Sequence, residues 1–198
     1  PYLLAFTVLL ILAAILWTIS CYGLRRAKSR TISHLKKFAE QTNALHTFSI
    51  FLDYDCAKGE LRNHGFEFKL YERMGAWLLL RVFLSRHPDF YLRIARKSLR
   101  ELIVKGKEVR LEGGDLLPFL ETMLALKTND AEKARMLLHP GMQAIVLRFF
   151  EDFKIARLEL DGSEIIITIS DAEITGEEYF KSMLELALDF AEEVEKQP

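Results

Sequence analysis

The chain is poor in cysteine. Cys21 and Cys56 are its two, and no Cys-x-x-Cys pair occurs. That excludes a disulfide framework and a cysteine-rich zinc knuckle. There is no Gly-x-x-x-x-Gly-Lys phosphate loop, no Gly-x-Gly-x-x-Gly fingerprint and no Gly-x-Ser-x-Gly elbow, which leaves the commonest nucleotide and acyl-transfer chemistries without their sequence marks. His34, His46, His64, His87 and His139 are scattered, with no metal-ligand spacing beside Cys or carboxylate. A bias of charge is missing too. With 27 basic and 28 acidic residues the net charge is −1, so the broad basic surface that nucleic-acid binding needs is absent. No internal repeat stands out.

One further absence is local. Residues 3–24 contain no Asp, Glu, Lys, Arg or His. As a helix rising about 1.5 Å per residue they reach roughly 33 Å, enough to cross a hydrocarbon core of about 30 Å. Arg25, Arg26, Lys28, Arg30, Lys36 and Lys37 follow before the first acid, Glu40. Trp17 and Tyr22 sit where interfacial rings are expected, and the basic collar predicts a cytoplasmic side. The expectation is a single-pass transmembrane helix over 1–24, with the N-terminus outside and the C-terminal domain cytoplasmic. Trp17, Tyr22, Arg25, Arg26, Lys28 and Arg30 would lie at the membrane interface. A cleaved signal peptide fits less well, because the cations follow the apolar run. A lipoprotein box at Thr18-Ile19-Ser20-Cys21 lacks the Leu three residues before Cys.

The rest divides by charge. Residues 38–170 are neutral, and 171–198 carry nine acids against two bases. Residues 25–43 read as a basic juxtamembrane helix or linker, with Ile32, Leu35, Phe38, Ala39, Thr42 and Leu45 along one narrow face. Residues 44–198 read as one α+β domain. Phe66, Phe68 and Leu70 alternate with Glu67, Lys69 and Tyr71, a strand with one buried face. Further strands are expected at Phe48–Leu52, Trp77–Leu84, Phe90–Ile94, Lys107–Leu111 and Leu120–Lys127. Arg73-Met74-Gly75 reads as a turn. Asn129-Asp130 opens a helix, and Pro140 suits the first turn of another, near 142–150. Asp161-Gly162 marks a hairpin between Ile155–Leu160 and Ser163–Ser170. Thr175-Gly176-Glu177-Glu178 reads as a capping box before a stripe of Phe180, Met183, Leu184, Ala187, Phe190, Ala191 and Val194. The predicted fold class is therefore α+β, with an N-terminal transmembrane helix, a mainly antiparallel sheet covered by helices, and a long C-terminal amphipathic helix.

Phe119-Leu120-Glu121-Thr122, Leu126-Lys127-Thr128-Asn129-Asp130, Ala134-Arg135, Leu137-Leu138 and Pro140 resemble an uncharacterised bacterial family of membrane-anchored proteins. The resemblance spans about residues 107–170. It implies the fold class and a membrane anchor, and it brings no catalytic residues.

Two polar groupings remain. Asp53, Asp55, Cys56 and His64 have metal-donor chemistry, but they lie around Lys58-Gly59 in what reads as a surface loop. No metal or cofactor is assigned. Arg93, Arg96, Lys97 and Arg100 form a patch that could hold an anionic ligand, beside Phe90 and Tyr91. The function these features favour is non-enzymatic: an accessory or scaffold subunit of a larger membrane complex, meeting membrane lipid and partner subunits, with Trp77, Phe83 and the aromatics of 142–150 as candidate contacts. The second reading is a tethered lipid- or small-ligand-binding domain. It expects an apolar pocket between the sheet and the terminal helix, with Arg93 or Arg96 at its mouth.

Overall fold

A computed structural model describes residues 12, 30–49, 54–71, 77–97, 107–108, 123–170, 174 and 176–197. Helix α1 covers 30–41. Strands β1 (Leu45–Ser49), β2 (Tyr54–Leu61), β3 (His64–Tyr71), β4 (Trp77–Phe83), β5 (Leu92–Arg96), β6 (Lys107–Glu108) and β7 (Leu124–Thr128) follow. Then come α2 (Ala131–Leu137), α3 (Pro140–Glu151), β8 (Arg157–Asp161), β9 (Glu164–Ser170) and α4 (Glu177–Glu195).

The strands form one nine-stranded sheet in the order β1-β2-β3-β4-β9-β8-β5-β7-β6. Every pairing is antiparallel. The β8–β9 hairpin is inserted between β4 and β5, so it joins the N-terminal meander to the β5-β7-β6 group. Strand alternation buries Phe66, Phe68, Leu70, Leu78, Leu80, Val82, Leu158, Leu160, Ile165, Ile167 and Ile169 on one face, as the period of two requires. The helices cover that face. From α4 come Phe180, Met183, Leu184, Ala187, Phe190, Ala191 and Val194; from α3 come Met142, Val146, Phe149 and Phe150; from α1 come Leu35, Phe38 and Ala39. At the centre, the Phe38 ring lies 5.3 Å from Phe68 and 5.8 Å from Phe180. Asn43 ends α1 with φ 54°, and Ala44 N–H donates to Ala39 O at 2.8 Å, the reach of a left-handed helix terminator.

The expected transmembrane helix, and with it the single-pass protein with an outside N-terminus and a cytoplasmic domain, is corrected. Among the described residues no helix is long and apolar enough to cross a membrane. The longest, α4, puts Glu178, Glu185, Asp189 and Glu192 opposite its apolar stripe, which is the pattern of a helix packed on a sheet. Residues 1–24, apart from Leu12, lie outside the described residues, as do Trp17, Tyr22, Arg25, Arg26 and Lys28 of the expected interface. Arg30 is an exposed residue of α1.

Two smaller corrections are local. The stretch around Lys58-Gly59 is strand, not loop, and the turn falls at Arg62 and Asn63 with φ 52° and 64°. Two successive left-handed residues make the hairpin turn that matches strand twist. Gly59 is required there: a Cβ would meet Phe66 Cζ at 2.8 Å and the Ala44 Cβ at 3.0 Å. At α4 the N-cap is Gly176, with no side-chain cap bond; Glu177 and Glu178 supply negative charge to the first turn instead. Thr175 and the turn Arg73-Met74-Gly75 lie outside the described residues. Strand β1 lies at Leu45–Ser49, earlier than the expected Phe48–Leu52, so Leu45 is an exposed strand residue and not part of the apolar face of α1. Asp130 caps α2 as expected, by accepting from Glu132 N–H and Lys133 N–H, and Pro140 opens α3.

Candidate ligand cleft

Strand alternation separates the basic patch. Arg93 and Arg96 are three apart on β5, so their side chains leave opposite faces of the sheet. Arg93 is on the face without helices. There Glu159, its cross-strand neighbour, accepts from Arg93 Nη1 at 2.7 Å and from the Tyr91 hydroxyl at 3.2 Å. Arg157 Nε lies 3.0 Å from the other carboxylate oxygen. One acid thus holds two guanidinium groups and a phenol. Burial pushes the Tyr91 hydroxyl up from its ordinary value, and the Glu159 charge adds to this. Arg93 is committed to this network. Lys97 follows the end of β5, where its N–H donates to Met123 O at 2.9 Å. Arg100 lies outside the described residues.

Arg96 is on the helix side, at the open end of the sheet. Its Nη2 donates to Phe150 O at 2.8 Å, which satisfies a carbonyl in the last turn of α3 and favours the negative end of that helix. The guanidinium is otherwise exposed. It stands at the rim of a cleft of about 450 Å³ floored by Met123, Leu124, Leu147 and Phe150, with Glu151 and Lys154 completing the edge. Lys154 takes φ 50° where the chain leaves α3 for β8. The floor is apolar because α3 turns Val146, Phe149 and Phe150 to the core and leaves Leu147 half-buried beside β7. Met123 remains 44% exposed. A pocket with Arg96 at its mouth is therefore present, but it lies under α3 and not under the terminal helix.

A second cleft, of about 410 Å³, lies where the C-terminus of α4 meets the β4–β5 connection. Both of its acids, Asp89 and Glu195, are engaged. Lys133 binds the Asp89 carboxylate and holds it below the usual carboxylate range, and Glu195 accepts from Ser85 N–H at 2.6 Å.

The possible metal donors are dispersed. Asp55 faces the helices, 3.3 Å from His46 Nε2. Cys56 faces the other way, with Sγ 3.7 Å from Glu67, and burial and then that carboxylate push its thiol up. His64 is at the opposite end of the hairpin, near Phe83 O and Glu195. Asp53 lies outside the described residues. Among the described residues no group of three or more His, Cys, Asp or Glu could hold a metal ion. Of the expected aromatic contacts, Phe149 and Phe150 are core, Trp77 is 41% exposed, and Phe83 packs over Gly65.

The fold has a solved counterpart. It is similar to the crystal structure of the mycobacterial trehalose monomycolate transport factor A, TtfA, with a TM-score of 0.60 over 84% of this chain and 96% of that one. Sequence identity is 11%, so the likeness is one of fold. No protein-family model and no curated protein matches the chain.

Proposed function

We propose that the domain is a non-catalytic module that binds an acidic amphiphile in the cleft between β7 and α3. The observation that carries this is the combination of an apolar floor, Met123, Leu124, Leu147 and Phe150, with two cations, Arg96 and Lys154, against one carboxylate, Glu151, at the rim. An alkyl chain gains about 0.8 kcal/mol for each methylene it buries. A phosphate or carboxylate head finds guanidinium and ammonium donors at the mouth. The volume is within the range of about 300–1,000 Å³ usual for small-molecule sites. The likeness in fold to a trehalose monomycolate transport factor supports a carrier or accessory role over a reaction.

Titration with dihexanoyl phosphatidylglycerol below its micelle concentration, followed by methyl NMR, tests the reading. Shifts should concentrate at Leu124, Leu147 and Met123. Arg96→Ala with Lys154→Ala should weaken binding at least tenfold, about 1.4 kcal/mol, and dihexanoyl phosphatidylcholine should bind more weakly. Shifts spread over the whole surface, or equal binding by the double variant, would reject it.

A further inference from the structure

We infer that the cleft at the C-terminal end of α4 is a second ligand site, suited to a compact organic anion. It lies at the start of β5, whereas the cleft between β7 and α3 lies at the end of that strand, with Arg96. From Phe90 to Arg96 is roughly 20 Å at about 3.3 Å per residue, so the two sites are separate. Part of the lining is apolar, where Pro88, Phe90, Met136 and Val194 meet. Phe90 and Val194 belong to the core, and Met136 of α2 is a large hydrophobic side chain left 59% exposed.

What selects the ligand is charge. Both carboxylates of the cleft are held within the protein. Asp89 is on Lys133, and Glu195 accepts from Ser85 N–H, with His64 Nε2 3.9 Å from its other oxygen. Arg86 and His87 are exposed, and among the described residues neither side chain has a hydrogen bond or ion pair. The cleft therefore carries a guanidinium and an imidazole with no protein acid on them. Pro88 fixes its own φ near −65° and biases His87 to extended backbone. The pair is thus presented by a stiffened segment, which loses less freedom when a ligand binds. A guanidinium fork takes two oxygens of a carboxylate or phosphate, and an apolar body on the same molecule covers Met136. At about 410 Å³ the cleft is near the low end of the roughly 300–1,000 Å³ usual for small-molecule sites, which suits an aryl or short alkyl phosphate or carboxylate.

Phenyl phosphate titrated into the full chain and followed by methyl NMR tests this. Met136 and Val194 should shift and saturate. Inorganic phosphate, which lacks the apolar body, should bind at least about tenfold more weakly. Arg86→Ala with His87→Ala should weaken phenyl phosphate at least about tenfold; both residues are exposed, so the core methyls of Leu158 and Ile167 should keep their positions. Arg96→Ala with Lys154→Ala should leave phenyl phosphate binding unchanged, so failure at the cleft between β7 and α3 does not carry over to this one. A Met136 shift with dihexanoyl phosphatidylglycerol at lower concentration than with phenyl phosphate would assign the anion to a lipid head and overturn a free ligand. The inference also falls if Met136 and Val194 show no saturable shift, if the Arg86 and His87 double variant binds as tightly, or if inorganic phosphate does.

Discussion

Phe38→Ala asks whether α1 is held by the sheet. The ring is 1% exposed and touches three others: Phe66 at 6.0 Å, Phe68 at 5.3 Å and Phe180 at 5.8 Å between centroids. It is the point where α1, β3 and α4 meet. Phe→Ala at a closed core site costs about 3–5 kcal/mol, as lost transfer energy plus the cavity left behind. The surroundings here cannot collapse easily, because Phe66 and Phe68 are fixed on adjacent inward positions of one strand and Phe180 is anchored in the first turn of α4. We therefore expect about 4 kcal/mol. With a urea m value of about 2–3 kcal/mol/M, the unfolding midpoint should fall by about 1.3–2 M. Phe38→Leu, which keeps most of the volume, should cost about 1–1.5 kcal/mol. Lys36→Ala on the exposed face of the same helix should stay within about 0.5 kcal/mol. A Phe38→Ala loss below about 1 kcal/mol, with the Lys36 control silent, would mean that α1 does not dock in solution, and the account of the core would fail.

Three more expectations follow from single sites. Gly59→Val should destabilise by about 1–3 kcal/mol through overpacking against Phe66 and Ala44, read as a lower urea midpoint; an unchanged midpoint would contradict the close approach. Asp130→Ala should remove the α2 cap and cost about 0.5–2 kcal/mol, with amide exchange at Glu132 and Lys133 speeding up first. Burial pushes the Tyr179 hydroxyl from 10.0 up to about 12, and it donates to Phe153 O at 3.2 Å. A raised folded-state value contributes stability that is intact below pH 10 and lost as pH climbs toward 12. Ultraviolet titration should show this phenol ionising late, and Tyr179→Phe should flatten the alkaline loss of stability.

What the sequence revealed, and what it hid, follows from range. The alternation of Phe66, Phe68 and Leu70, the apolar stripe of α4, the Asp130 cap and the Asp161-Gly162 hairpin depend on neighbours a few residues away, and each is legible. Strand β2 is not, because Lys58 and Gly59 are poor strand residues by local preference. Gly59 is in the strand for the sake of Phe66, a contact that only the folded sheet creates. The division of Arg93 from Arg96 was available in the spacing, since three residues along a strand reverse the face. The cleft was hidden: Met123, Leu147 and Lys154 come from separate segments and carry no common pattern. The apolar run at 3–24 is a strong local signal, and the transmembrane helix it predicted has no counterpart among the described helices.

The placement of β9 between β4 and β8 bears on how the chain is made. When β4 has left the ribosome, its outer edge has no mate, and β5 later waits beside an equally bare edge. Both are closed by the same late hairpin. At about 5–20 residues per second, the nascent sheet stays split for roughly 4–17 s. Truncation before residue 157 would leave that gap permanent, exposing two long hydrophobic borders to any neighbouring chain. A chaperone that shields strand edges therefore has its clearest task in the interval before the last strand pair emerges.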